Sequence, residues 1–399
     1  MKRDVHGHEN RYKSWKERVE KEGEDGVTKK NSDILIQYIF DMEIGANVSS
    51  RNRKGSRGYP RLNSLRQRLS QIMKMLEERG IKDITKVSEK QIMHFFSDMR
   101  TGILKTQRGD KYKSVVDYVK VFKAFWHWYV KINKKQGKQI IDISEDLDSS
   151  RDEQPRFVYI TKEQLEKMMP YFDKDEQVCL MFCFDSIIRS PTELLSLQVK
   201  NVYKEGNKVW VNVPDEISKT FGRKFSLLYC GEELVKYIKR NDLETDDYLF
   251  KNINHILLNR KLQKVAVKVF KDRETKGGGL LSSIILYDLR HSGAINLRIL
   301  ASKNGKISLE KIRHRGGWTN YRMINYYTKF IGLDGDIEKE DTLIPEDRTK
   351  LEKEIEKYRE LSKKTQKEVD EIKKSIHELV KQEIERNSSK KAVKPRLVN

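Results

Sequence analysis

The stretch that decides the fold is Leu286–Phe330, which contains Tyr287-Asp-Leu-Arg-His291, then Gly316-Gly-Trp-Thr-Asn320, then Asn325-Tyr-Tyr327. Each of these groups is common when it occurs alone. Their order and spacing are informative, because Trp318 and Tyr327 stand nine residues apart with Arg290 upstream of both. Guanidinium and indole N–H groups can bind a phosphate, and a tyrosine hydroxyl can attack one. The stretch therefore predicts that further cationic residues of the same site lie upstream.

The composition indicates a polyanionic partner. The 399 residues, enough for two or three domains, include 81 Lys and Arg against 60 Asp and Glu, a net charge of +21. Basic side chains that neutralise phosphates release counterions, so nucleic acid is the expected partner and an acidic membrane surface the alternative. No apolar run approaches about eighteen residues, so we expect no membrane span. The charged N-terminus lacks the apolar segment of a secretory signal.

The cysteines are expected to be small core residues rather than ligands. Cys179 and Cys183 stand four residues apart in an apolar run, and Cys230 is the third cysteine of the chain. No His or second Cys pair completes a zinc set near them, so we expect no metal. We expect a reducing, cytoplasmic and nucleoid-associated location.

The chain upstream of the deciding stretch divides by its patterning. Residues 1–30 form a charged N-terminal arm, either a short helix or disordered, with Tyr12 and Trp15 as aromatic anchors. Residues 31–136 repeat apolar positions at intervals of three and four, which predicts a helical domain of four helices. Residues 137–156 are polar and turn-rich, typical of a linker. Thr161 and Gln164 form a capping box that opens a second domain, residues 157–333.

The ordered motifs resemble those of the tyrosine recombinases, the phage integrase family. Arg189-Ser-Pro-Thr-Glu-Leu-Leu-Ser-Leu197 looks like the family's first catalytic box, and Ser218-Lys-Thr220 before Phe221-Gly222 stands where the family has its lysine hairpin. The resemblance covers residues 30–332. It implies a mainly α fold with a small β-sheet: a helical, SAM-like core-binding domain and an α+β catalytic domain that together clamp DNA.

The resemblance also implies six site residues, which are Arg189, Lys219, Tyr287, Arg290, Trp318 and Tyr327. The two arginines and Trp318 would stabilise the charge on the phosphate oxygens, and Lys219 would protonate the leaving 5′-oxygen. Tyr327 would attack and form a 3′-phosphotyrosine, which conserves bond energy without a metal or cofactor.

Several positions leave alternatives open. Glu193 is four residues after Arg189, whereas many members have Glu after three, so its supporting role is less defined. Lys224 is the alternative to Lys219, and Tyr326 the alternative to Tyr327. Tyr287 stands where most members have His and cannot shuttle a proton near neutral pH. His314, four before Trp318, could compensate, whereas His291 is expected to be structural.

The C-terminal residues predict a separate element. Residues 334–386 combine an acidic linker with a heptad helix, a possible coiled coil, for which a single charged helix without a partner is the alternative. Residues 387–399 are expected to be a disordered basic end.

The function implied is a site-specific recombinase that integrates or excises a mobile element. It would cut and rejoin double-stranded DNA through a Holliday junction as a homo-tetramer, with a dimer on each site. The alternatives are a Xer-like chromosome resolvase, a catalytically decayed recombinase that binds specific DNA, and a coiled-coil architectural protein.

Overall fold

The computed structural model describes residues 2–47, 55–150, 156–304, 307–328, 358, 361–362, 364–366 and 368–381. The chain divides into two units, residues 1–331 and 332–399. The first unit is mainly helical with a small sheet, as the sequence predicts.

Five helices build the N-terminal part of the first unit: α1 (His8–Glu22), α2 (Lys29–Ile44), α3 (Tyr59–Glu78), α4 (Glu89–Thr101) and α5 (Val115–Lys135). The pattern of Ser88 followed three residues later by Gln91 predicts a capping box, and this box begins α4. The Ser88 side chain accepts from the Gln91 N–H, and the Gln91 side chain accepts from the Ser88 N–H. The apolar faces of the helices enclose one core that includes Leu69 and Phe125.

The predicted N-terminal arm contributes to this core. Of the two alternatives for residues 1–30, a short helix or a disordered segment, the structure has the helix α1. Tyr12, Trp15 and Val19 recur at three and four residues, so they share one face of α1, and all three are buried. Within the described residues, the bundle thus has five helices instead of the four predicted.

The described part of the predicted linker also packs on the bundle. Ile143 and Leu147 are buried in the helical core, and the Trp126 indole donates to the Ile141 carbonyl at 3.0 Å. An Asp142–Ser144 turn, with the Ser144 N–H 3.0 Å from Asp142 Oδ1, directs Ile143 inward. Residues 151–155 lie outside the described residues.

The remaining elements of the first unit are α6 (Lys162–Met168), α7 (Lys174–Ser186), α8 (Thr192–Ser196), β1 (Val202–Glu205), β2 (Lys208–Val213), β3 (Arg223–Ser226), α9 (Gly231–Arg240), α10 (His255–Phe270), α11 (Leu286–Asn304), α12 (Leu309–Gly316) and α13 (Arg322–Thr328). The predicted capping box of Thr161 and Gln164 begins α6. Helix α11 packs against α7, which carries the buried Cys179 and Cys183. This packing brings the two predicted catalytic motifs together.

The three strands form an antiparallel sheet in the order β1-β2-β3. The sequence pattern of residues 209–228 predicts a hairpin with a tight turn at Phe221-Gly222. The predicted position of this turn is wrong. Strand β2 ends at Val213, before Pro214, and residues 214–222 form a loop in which Gly222 N–H donates to Asp215 Oδ1 at 2.6 Å. Lys219 therefore lies in a loop and not on a strand.

In the second unit, residues 368–381 are helical. The apolar side chains at its predicted heptad positions are exposed: Val369, Ile372, Ile376 and Leu379. The predicted acidic segment 334–347 and basic end 387–399 lie outside the described residues, and of residues 348–367 the structure describes 358, 361–362 and 364–366. No helix within the described ranges is long and apolar enough to cross a membrane.

Candidate active site

Arg189 is held at a junction between two helices. Helix α7 ends at Ser186, and Ile187 takes a left-handed conformation with φ of 48°, which turns the chain toward α8. The guanidinium of Arg189 donates through Nη1 to Glu193 Oε1 and through Nη2 to the Gly317 carbonyl, both at 2.8 Å. These two hydrogen bonds fix the orientation of the Arg189 side chain.

Glu193 supports two arginines from the first turn of α8. Besides Arg189, it accepts from Arg223 Nη2 at 2.7 Å, and both Glu193 and Arg223 are buried. Burial acts to raise the pKa of Glu193, but the two guanidiniums outweigh it and lower this pKa to about 2. The four-residue spacing from Arg189 therefore leaves the carboxylate well placed, since the turn before α8, in which the Glu193 N–H donates to the Arg189 carbonyl at 2.9 Å, brings it back to the arginine.

Arg223 is a residue of the site that the sequence motifs do not indicate. Its Nε donates to the Arg315 carbonyl at 2.8 Å, which connects β3 with α12. Arg223 and Phe225 are the buried residues of β3, whereas Lys224 between them is exposed. The alternation of side chains along a strand could have indicated its burial, because it places Arg223 on the core side of β3.

Arg290 is buried in α11 and spans the site. Its guanidinium donates to the Ile187 carbonyl and, through Nη2, to the Gly316 carbonyl at 2.6 Å. It lies over the Trp318 indole, 5.1 Å from the ring centre. Burial first and then Arg189 lower the pKa of Arg290 to about 10, so the group stays charged at neutral pH.

The Gly316-Gly317 peptides are the point where these groups meet. Gly317 has a φ of 60° and ends α12, and its carbonyl accepts from Arg189 and from Thr220 Oγ1 at 2.7 Å. A Cβ on Gly316 would lie 2.6 Å from the Trp318 ring. Glycine is therefore required at Gly316 for close packing and at Gly317 for its backbone conformation.

Tyr327 is buried beside these cations. Its ring lies 5.7 Å from the Trp318 ring, and its hydroxyl is 2.6 Å from His291 Nδ1. Burial raises the pKa of Tyr327, while Arg290 acts to lower it. Tyr326 is half-buried and packs on Phe157 at 5.9 Å, so Tyr327 is the tyrosine placed against Trp318 and His291.

The other predicted residues lie around this centre. Tyr287 is 37% exposed and packs edge-on to the His291 ring at 5.0 Å. Lys219 is exposed in the loop 214–222, next to Thr220, which contacts Gly317. The alternative, Lys224, lies over Tyr203 and Trp210 on the outer face of the sheet, which separates it from Arg223 and the site.

The structure places the two histidines considered in the sequence in different surroundings. His291, expected to be structural, contacts the Tyr327 hydroxyl. His314, considered as a substitute for the missing family histidine, packs near Phe221 with ring centres 6.0 Å apart. In the part of the chain that the structure describes, no group of three or more His, Cys, Asp or Glu side chains is placed to hold a metal ion.

Comparison with known proteins agrees with this architecture. Residues 158–330 match the model of the phage integrase family. The fold is similar to XerH site-specific recombinase bound to a palindromic difH substrate in a post-cleavage complex, with 14% identity, a TM-score of 0.52, and coverage of 80% of this chain and 90% of that chain. It is also similar to a lambda integrase tetramer bound to a Holliday junction, with 13% identity, a TM-score of 0.50, and coverage of 82% of each chain. A search of curated protein sequences gives no match.

Proposed function

We propose that this chain, which belongs to the phage integrase family through residues 158–330, is a tyrosine-type site-specific DNA recombinase. One observation carries this proposal. Tyr327 is buried against Trp318, the guanidinium of Arg290 lies over the same indole, and Arg189 adjoins them through the Gly316-Gly317 peptides. This is the set of groups that attack of a tyrosine on a phosphodiester requires.

The chemistry assigns a role to each group. Attack of Tyr327 Oη on phosphorus places additional charge on the non-bridging oxygens, and the planar, permanently charged guanidiniums of Arg189 and Arg290 suit those oxygens. The Trp318 indole supplies one further N–H donor. The 3′-phosphotyrosine keeps the energy of the broken bond for rejoining, so the proposed reaction uses neither a metal nor a cofactor.

Lys219 is proposed as the general acid for the leaving 5′-oxygen. It is exposed in the loop 214–222, and the adjacent Thr220 ties this loop to the Gly317 carbonyl at 2.7 Å. An exposed ammonium on a loop anchored at the site can reach bound DNA. Lys224 is less suited to this role, because its cation–π contacts with Tyr203 and Trp210 lie on the other face of β3.

The helical part is proposed to bind the same DNA. A groove of about 930 Å³ lies between α3 and residues 106–114 and is lined by basic residues: Arg66, Arg68, Lys74, Arg108, Lys111 and Lys113. With a net charge of +21, these residues favour double-stranded DNA as the partner. We place the boundary between the core-binding and catalytic domains within residues 148–156, because the helical core extends to Leu147.

Assembly into a homo-tetramer on DNA is part of the proposal. The exposed Val369, Ile372, Ile376 and Leu379 repeat at intervals of three and four, so they form one apolar stripe on the described helix. Glu368 and Lys373 flank this stripe at positions that pair between the helices of a parallel coiled coil. We propose that a second copy of this chain covers the stripe.

A nicked suicide DNA substrate tests the chemistry. The cut releases a short fragment, so the covalent intermediate accumulates and migrates as a shifted band on a denaturing gel. We expect the wild type and Tyr326→Phe to form the adduct and Tyr327→Phe to form none. A Holliday junction or a pool of random sites serves as the DNA. A Xer-like resolvase uses the same step, so the assay tests the chemistry common to both.

The opposite outcomes are equally specific. Loss of the adduct only in Tyr326→Phe would move the nucleophile by one residue. Failure of the wild type to form an adduct on DNA that it binds tightly would favour a recombinase scaffold that binds DNA without cutting it. Retention of cleavage after removal of residues 345–399 would argue against an architectural role centred on the C-terminal helix.

A further inference from the structure

His291 lies against the atom that attacks phosphorus in the proposed reaction. Its Nδ1 is 2.6 Å from the Tyr327 hydroxyl, a contact that joins α11 with α13. The imidazole packs against the Phe157 and Tyr287 rings, with centroids 4.9 and 5.0 Å away. Contacts on more than one side hold the ring so that Nδ1 stays directed at Tyr327.

The protonation states of the two groups fit transfer of a proton from one to the other. Burial, and then the charge of Arg290, lower the pKa of His291 to about 4, so the imidazole is neutral near pH 7. Burial raises the pKa of Tyr327, so this phenol keeps its proton in the resting site. A neutral imidazole has one nitrogen that accepts a hydrogen bond.

Resting on the function proposed above, we propose that His291 is the general base of strand cleavage and accepts the Tyr327 proton at Nδ1. As Tyr327 Oη forms its bond to phosphorus, the P–O5′ bond breaks and its electron pair leaves on O5′. The ammonium of Lys219 supplies the proton that O5′ takes up. In rejoining, the 5′-hydroxyl passes its proton back to the Lys219 amine as its oxygen attacks the phosphotyrosine. The P–Oη bond breaks, and the His291 imidazolium returns its proton to Tyr327 Oη.

Bound DNA strengthens this base. An anionic phosphate near an imidazole favours the imidazolium, so substrate binding raises the proton affinity of His291 when the proton has to move. Two titratable groups contact the ring, Tyr287 from α11 and Tyr327 from α13, and the charge of Arg290 from α11 acts on it. The positive charge of the phosphate-binding Arg290 is offset once the phosphate is in place.

The other candidates for the base are less well placed. Tyr287 occupies the position three before Arg290, but its side chain has a hydroxyl group and no basic nitrogen that could accept the Tyr327 proton. Its ring contacts His291, so it can orient the imidazole. His314 lies beside Phe221 of the loop 214–222. His291 is the group that has hydrogen-bond contact with Tyr327 Oη.

The test compares His291→Asn with the same change at a surface histidine of α4, His94→Asn, in single-turnover adduct formation by the full chain. The amide oxygen of Asn can accept a hydrogen bond from Tyr327 but cannot take its proton. Two nicked substrates are used, one ordinary and one with sulfur in place of the scissile O5′. A thiolate leaves without a proton, so the sulfur substrate relieves the loss of an acid but not the loss of a base.

We expect His291→Asn to slow adduct formation about 10²-fold or more on both substrates. Lys219→Ala should be slow on the oxygen substrate alone, and His94→Asn should stay within about threefold of the wild type. Between about pH 6 and pH 8, the rate of His291→Asn should rise about tenfold per pH unit, because hydroxide then takes the proton, while the wild type changes less. This slope does not depend on the fraction of folded protein.

Three results would overturn the assignment. If His291→Asn stays within about threefold of the wild type on both substrates, His291 is not the base, and the proposed recombinase chemistry stands. If the slow variant has the pH profile of the wild type, and His291→Gln does too, the residue acts only in packing. If the wild type forms no adduct, the proposed function fails and this assignment fails with it.

Discussion

Replacing Glu193 by Gln should destabilise the folded chain by about 3 kcal/mol at pH 7. Burial acts to raise the pKa of this carboxyl, yet Arg223 and Arg189 bring it from 4.5 to about 2, a difference that corresponds to about 3 kcal/mol between the charged and neutral forms. Glu193 is only 1% exposed, so solvent screens these contacts little. Breaking a buried ion pair by removing one partner costs about 3–5 kcal/mol in other proteins, which is the same range.

The pH dependence makes this prediction specific. Because the pKa of Glu193 is lower in the folded chain than in the unfolded one, its stabilisation is fully present above about pH 4.5 and is lost as the pH falls toward about 2. A neutral Gln resembles the protonated Glu. The difference between wild type and Glu193→Gln should therefore decrease from about 3 kcal/mol at pH 7 to about 1 kcal/mol at pH 3.

Urea unfolding followed by tryptophan fluorescence measures both values. The matched control is Glu233→Gln, since Glu233 pairs with Lys236 on the surface, with side chains 59% and 64% exposed, and should change stability by less than about 0.5 kcal/mol. A cost of Glu193→Gln below about 1 kcal/mol at pH 7, or an equal cost at both pH values, would refute electrostatic stabilisation of Glu193 by Arg189 and Arg223.

Three further predictions concern other parts of the molecule. Gly316→Ala should displace the Trp318 indole, because a Cβ would lie 2.6 Å from it, and should reduce adduct formation at least about tenfold in the suicide-substrate assay; Gly58→Ala, where the nearest atom is 3.8 Å away, is the control. Replacing Arg66, Arg108 and Lys111 by Ala should reduce the slope of log K against log salt by about 2–3 in DNA-binding titrations, and an unchanged slope would exclude the α3 groove as a phosphate-binding surface. Ile372→Glu with Ile376→Glu should abolish self-association in sedimentation measurements, whereas Lys374→Glu, on the face of the helix opposite the stripe, should preserve it.

Local sequence patterns predicted most of the elements. The capping boxes at Ser88 and Thr161 are present, and the apolar periodicity of residues 31–136 corresponds to helices. The prediction failed where local composition and tertiary packing disagree. Helix α1 is rich in charges, and only its face with Tyr12 and Trp15 shows that it belongs to the core.

The motifs predicted which residues to examine but not how their side chains pair. Arg290, Trp318 and Tyr327 come together, as their order and spacing suggest. The contact of His291 with Tyr327 spans 36 residues and depends on how α13 packs across α11, so no spacing rule encodes it. Arg223 was missed for a related reason, since its partner Glu193 lies 30 residues away on another element.

The Gly316-Gly317 segment explains how the site can hold two like charges before DNA arrives. Arg189 and Arg290 direct N–H groups at successive carbonyls of this segment, and partial negative charges there offset part of the repulsion that lowers the pKa of Arg290. Glu193 supplies the full negative charge on the outer side of Arg189. The guanidiniums are thus oriented in advance by groups that stay in place, so binding a phosphate need not order them first. Orientation before binding is what makes electrostatic stabilisation of a transition state effective.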